Sequence, residues 1–128
     1  MKILLDTQIF LWYISGDKRL PDDKRTSIQD SNNEVYLSVV SIWEAIIKYR
    51  LGKLQFPQRP ETYLPAQRVR HQITSLTLDE ASVSFLAQLP SIHRDPFDRM
   101  LICQSNVHGL RLMTDDGIIH KYPVQFFT

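Results

Sequence analysis

A chain of 128 residues, 43% hydrophobic and 23% charged, has the make-up of one globular domain with a core of its own. Its 15 basic and 14 acidic residues leave a formal net charge of +1, which excludes a global basic field and leaves any nucleic-acid contact to local charge. A single cysteine, Cys103, excludes a disulfide framework, a zinc knuckle and a CxxC redox pair, and a cytoplasmic protein is the default expectation.

The opening run MKILLDTQIFLWYIS is interrupted by Asp6, has Lys2 as its one basic residue and shows no small-residue cleavage site. It reads as a buried strand, KILLD (2–6), passing into a helix, rather than as a leader. No apolar stretch approaches the roughly 20 residues of a membrane span. PDDKRTSIQDSN (21–32) predicts a polar helix and EVYLSVV (34–40) a second strand. SIWEAIIKYRLGK (41–53) carries Ile42, Ala45, Ile46 and Tyr49 at helical spacing, with Gly52 as a stop. RPETYLPAQRVR (59–70) reads as a helix that Pro65 starts or kinks.

HQITSLTL (71–78) predicts a third strand, and LDEASVSFLAQLP (78–90) a helix ending at Pro90. DPFDRMLICQSNVHG (95–109) predicts a helix ending at Gly109, followed by strands LRLMT (110–114) and PVQFF (123–127). The first, second and fourth strands have little polar alternation, as expected when both faces are covered. Alternating strands and helices predict an α/β fold over residues 1–128, with a mostly parallel central sheet of five strands flanked by helices. In such sheets ligands collect beyond the carboxyl ends of the strands.

Acids stand there. Asp6 follows the first strand, Glu44 the second, and Asp115 and Asp116 the fourth, while Asp95 and Asp98 open the helix at 95–109. A parallel sheet would bring several of them to one edge. Carboxylates crowded into a small volume do not all stay ionised without a cation, and hard oxygen ligands select magnesium or manganese. Each acid also has a bland reading. Ser41-Ile42-Trp43-Glu44 fits a capping box, and Asp95-Pro96-Phe97-Asp98 fits a helix start with Asp at N-cap and Pro at N1. Asp6 suits the cap of a helix beginning at Thr7, and Asp115-Asp116-Gly117 suits a turn. Thr77-Leu78-Asp79-Glu80 offers the same box with no chemistry attached, so spacing alone does not separate the two roles.

Four blocks together settle on a resemblance. LLDT (4–7), SIWEAIIKYRLGKL (41–54), HRDPFDRMLICQS (93–105) and LMTDDGIIHKYPV (112–124) resemble the successive motifs of PIN domains, above all the VapC-type toxins of bacterial toxin–antitoxin pairs. The resemblance implies a three-layer fold and an endoribonuclease whose acids bind Mg2+ (Mn2+ as a substitute). Carried over by position, those acids are Asp6, Glu44, Asp98 and Asp116, with Asp115 as a neighbour able to replace the last. Thr7 and Thr114 match hydroxyl positions that hydrogen-bond near the metal. The resemblance also implies an RNA substrate, 5′-phosphate and 3′-hydroxyl products, a cognate antitoxin and a homodimer.

Among the basic residues, Arg99 and Lys48 are the candidates for phosphate contact. Lys48 sits four residues after Glu44, where a salt bridge is an equal reading, and Arg99 has a solvated ion pair as its alternative. Trp12, Tyr13 and Trp43 suit base stacking, but at helical spacing they suit core or interface better. The run FLWYI (10–14) suits either a core or a helix-in-groove contact. His93, His108 and His120 lack ligand spacing and are not expected to bind the metal. Cys103 reads as a small buried residue. The competing assignments are a phosphoryl-transfer domain, for which LLDTQ lacks the second aspartate, and a non-catalytic nucleic-acid or protein binding module on the same scaffold.

Overall fold

The computed structural model describes residues 1–127. Its sheet is built from β1 (Lys2–Leu5), β2 (Glu34–Ser38), β3 (Thr74–Leu76) and β4 (Arg111–Met113), ordered β3-β2-β1-β4 with every pair parallel. The register sets Leu5 opposite Leu37 on one side and opposite Met113 on the other, so three strands run out level with one another. Around the sheet lie α1 (Thr7–Ser15), α2 (Asp22–Gln29), α3 (Val39–Arg50), α4 (Pro60–Arg70), α5 (Glu80–Ser84) and α6 (Pro96–His108). Among the described residues no helix is long and apolar enough to cross a membrane.

Period-two alternation survives inside the apolar strands and sorts them between two cores. Ile3 and Leu5, Val35 and Leu37, and Met113 face one layer, where Ile9, Phe10, Ile28, Ala45 and Leu64 from α1 to α4 cover them. Leu4 and Leu112 face the other layer, against Leu101, Ile102 and Cys103 of α6. These are the three layers of helix, sheet and helix, and both sheet faces are dry, which is why β1 shows no polar residue between Ile3 and Leu5. Cys103 is fully buried.

Several expected elements change length, each for a local reason. Among the described residues the sheet has four strands, not five. The segment 123–127 meets β4 only through the isolated parallel bridge Leu112–Phe126 and the bonds of Leu112 to Gln125 and Phe127, because β4 is short and Pro123 brings no N–H to a ladder. The expected strand at 71–78 shrinks to Thr74–Leu76, since Gln72 turns out of α4 at φ 58° and β2 ends opposite Leu76. The helix expected at 78–90 is one α-turn continued as a 3₁₀ turn over Phe85–Gln88.

The largest change is at β2. Its strand passes into α3 without a loop because the Ser38 hydroxyl accepts from Val40 N at 3.0 Å and caps the helix there. The capping box expected at Ser41 and Glu44 therefore does not form: both residues lie inside α3 and are buried. The Ser38 hydroxyl also donates to Oε1 of the fully buried Gln104 on α6 at 2.6 Å, and Gln104 Nε2 donates to the carbonyl of Thr77 at 3.2 Å. One side chain thus ties the ends of β2 and β3 to the middle of α6.

Leu4, wholly buried in the central strand, is the natural test of this packing. Leu4→Ala should lower unfolding free energy by about 2–5 kcal/mol, read as a reduced urea midpoint at unchanged m-value.

Candidate active site

The level strand ends decide where the acids go. Asp6 leaves β1 with its N–H still bonded to the Met113 carbonyl at 3.0 Å, which extends the β1–β4 ladder by one residue. Its Oδ1 accepts from Ile9 N at 2.8 Å and caps α1, so the capping expectation for Asp6 holds and leaves its second oxygen for other partners. Thr7, next along, is buried at the foot of α1. Its hydroxyl donates to Glu44 Oε1 at 2.7 Å and lies 2.9 Å from Ser41 Oγ. Glu44 is 3% exposed, and its other oxygen takes Lys48 Nζ at 2.5 Å, one turn further along α3. Lys48 is paired with Glu44, as the salt-bridge reading expected, and it also lines the cavity described below.

The third acid arrives through the start of α6. Asp95 is the N-cap, its Oδ1 accepting from Phe97 N at 2.9 Å and Asp98 N at 3.2 Å, with Pro96 at the first helical position. Asp98 follows in the first turn, where the exposed N–H groups of the helix favour a negative charge. The fourth arrives after β4: Asp116 N donates to Thr114 Oγ1 at 3.1 Å, and Asp116 Oδ1 accepts from Ile118 N at 2.8 Å. That turn exposes Asp115, half-buries Asp116 and leaves Thr114 buried beneath them.

Asp6, Glu44, Asp95, Asp98, Asp115 and Asp116 line one cavity of about 520 Å³, together with Thr7, Lys48, His93 and the apolar wall Leu11, Trp12 and Leu54. Crowding shows in the proton affinities. The Asp98 carboxyl is pushed up to about 7 by burial and then by the charges of Asp95, Glu44, Asp6 and Asp116. Asp6 is pushed up to about 6, again by burial first. Its bonds to Thr114 and Ile9 pull it back, and Glu44 and Asp116 push it further up. Among the described residues Lys48 is the one lysine or arginine lining this cavity, and it is already paired with Glu44. Carboxylate oxygens in excess of cationic partners are the donor set of a hard divalent ion, so the residues fit magnesium or manganese.

Of the residues singled out from sequence, Asp6, Thr7, Glu44, Lys48, Asp98 and Asp116 line this cavity, and Thr114 is in contact with it through Asp6 and Asp116. Arg99 does not line it. Its Nη1 donates to the carbonyls of Pro90 at 2.8 Å and His93 at 3.3 Å and lies 3.1 Å from Tyr122 Oη, so it braces the loop before α6. Trp43 is 55% exposed, edge-on to Phe97 and outside the cavity, whereas Trp12 forms part of its wall. His93, whose spacing predicts no metal ligation, stands in the cavity wall. Its Nε2 lies 3.2 Å from Asp98 Oδ2 and 3.9 Å from Asp116 Oδ2, and these three side chains present atoms within 4.8 Å of one another. Nothing in helix or strand periodicity marks such a residue, because it stands in the loop ahead of the cap.

The PIN domain family model matches residues 3–125 of the chain. Ribonuclease VapC16 of Mycobacterium tuberculosis is 38% identical over 60 residues, a match covering 47% of this chain and 43% of that relative, so less than half of the relative is represented. Among solved structures, VapBC2 from Rickettsia felis bound to a promoter DNA fragment is similar at a TM-score of 0.76 and 14% identity, covering 100% of this chain and 98% of the other. VapBC-1 from nontypeable Haemophilus influenzae is similar at a TM-score of 0.62 and 19% identity, covering 99% and 97%.

Because Asp6 and Asp98 are raised above the ordinary carboxylate value of 3.8, the folded chain keeps protons that the unfolded chain has released. In chelator, stability should therefore fall as pH rises from about 4 to about 7. Asp98→Asn should flatten the upper part of this slope. At about pH 8 it should raise the thermal midpoint by a few degrees, the shift that about 1 kcal/mol produces in a chain of this size. Thermal unfolding across pH, with and without the substitution, reads both effects.

Proposed function

Because the chain belongs to the PIN domain family, we propose that it is a magnesium-dependent endoribonuclease, the toxin of a toxin–antitoxin pair acting in the cytoplasm. The observation that carries this reading is the convergence of Asp6, Glu44, Asp98 and Asp116 on one cavity at the carboxyl edge of a parallel sheet. The name of the mycobacterial relative supports ribonuclease as the activity, and the solved toxin–antitoxin relatives support an antitoxin partner. A homodimer is proposed from the family resemblance.

In this reading Asp6, Glu44, Asp98 and Asp116 hold Mg2+, with Mn2+ able to replace it. The bound ion supplies a Lewis acid that lowers the pKa of a water and offsets charge on the phosphorane-like transition state. The protein's own part is to keep the carboxylates aimed. Thr7 fixes one oxygen of Glu44 and Lys48 the other, while Ile9 N holds one oxygen of Asp6. Thr114 orients both Asp6 and the turn bearing Asp116. Lys48, the basic residue of the cavity wall, is the phosphate contact in this proposal, in preference to Arg99 with its loop carbonyls. As the family resemblance implies, water attacks phosphorus and the 3′-oxygen leaves, giving 5′-phosphate and 3′-hydroxyl ends without use of the RNA 2′-hydroxyl.

The protein purified free of any partner and incubated with total RNA should yield fragments with Mg2+ or Mn2+ and none in chelator. Glu44→Gln and Asp98→Asn should each reduce cleavage by on the order of 100-fold or more, while Asp95→Ala, which removes a cap, should cost about 1 kcal/mol of stability. RNA left intact by the wild-type protein under every metal condition would point to the non-catalytic binding module instead.

A further inference from the structure

His93 is tied down from four sides. Its backbone N–H donates to Tyr122 Oη at 2.6 Å, and its carbonyl accepts from Arg99 Nη1 at 3.3 Å. Its ring Nδ1 accepts from Asp95 N at 3.0 Å. Its ring Nε2 faces Asp98 Oδ2 at 3.2 Å, with Asp116 Oδ2 beyond at 3.9 Å. Among the described residues, His93 is the one basic side chain in ion-pair range of Asp98.

At first sight His93, Asp98 and Asp116 make a metal triad, since their donor atoms lie within 4.8 Å of one another. The Asp95 N–H argues otherwise. A nitrogen that accepts a hydrogen bond carries no proton, so a neutral His93 has its proton on Nε2, the atom turned toward the carboxylates. To ligate an ion through Nε2 the ring would have to move that proton to Nδ1, into the N–H of Asp95. The cap residue of α6 thus selects the His93 tautomer through its backbone, while its side chain caps the helix.

We propose that His93 is a positioning residue of the metal site: it presents a fixed Nε2–H to Asp98 Oδ2 and so turns the carboxylate's other oxygen toward the ion, without ligating the ion itself. This rests on the nuclease reading. Partners of this kind typically change metal affinity by about 10–100-fold when removed. The proposal explains why Tyr122 and Arg99, both outside the cavity lining, converge on the loop: they hold the His93 backbone in place.

Two substitutions separate the two ring nitrogens. Glutamine sets an N–H donor near the position of Nε2 and nothing at Nδ1; asparagine keeps an acceptor near Nδ1 and loses the donor. Mn2+ binding to the RNA-free protein, followed by electron paramagnetic resonance, should weaken by about 10–100-fold in His93→Ala and His93→Asn and return to within a few-fold of wild type in His93→Gln. In the metal-free wild type, ring ¹⁵N shifts should report the Nε2-protonated tautomer. Wild-type Mn2+ affinity in all three variants would overturn the proposal. So would equal weakening that includes His93→Gln, since that is the mark of a loop anchor, and so would an Nδ1-protonated ring. A wild-type protein that binds no Mn2+ would overturn the nuclease reading, and this one with it, whereas unaffected variants of a metal-binding wild type would overturn this one alone.

Discussion

The acidic edge depends on the parallel register of β1 with its two neighbours. Leu5 stands level with Leu37 and Met113, and the bond from Asp6 N to the Met113 carbonyl carries the ladder one residue past the end of β1. An offset of one residue in either pairing would exchange that strand's two sets of side chains between the two buried layers, and the packing of both clusters opposes it. The carboxylates sit where they do because hydrophobic side chains fix the strands behind them. Burial contributes favourably in the core and opposes the site, and the raised proton affinities of Asp6 and Asp98 are the local sign of that opposition.

Helix starts recur around the cavity, and they explain why capping and chemistry were hard to tell apart. Asp6 uses one oxygen as a cap and keeps the second for the cavity. At α6 the two duties are divided: Asp95 caps with its side chain, and Asp98 in the first turn faces its fellow acids. Glu44 is different. It sits in the second turn of α3, past any capping position, and is held instead by Thr7 and Lys48.

What could be read from the chain follows from these details. Parallel pairing and an acidic strand edge were legible, because apolar runs with buried periodicity and acids after the first, second and fourth strands are local patterns, while the choice among those acids came from the resemblance of the four motif blocks. The start of α3 was not: Ser38 and Ser41 are equally good caps on paper, and the choice falls to Ser38 because Gln104, distant in sequence, also engages its hydroxyl. The fifth strand failed at Pro123 and at a β4 too short to pair with. His93 was illegible because its partners are a backbone N–H two residues on, a carboxylate in the first turn of the following helix and a tyrosine 29 residues further along the chain.

Gln104 has a consequence beyond the fold. It sits on α6, the helix that carries Asp98, and bonds to Ser38, the cap of the helix that carries Glu44. Axial sliding of α6 against α3 would stretch that short, directional contact as well as disturb the apolar packing around it. The distance between two carboxylates in an open cavity is therefore gauged by a dry amide that does not line it. Mutational drift at position 104, a buried residue outside the cavity lining, would reach the acids as misalignment.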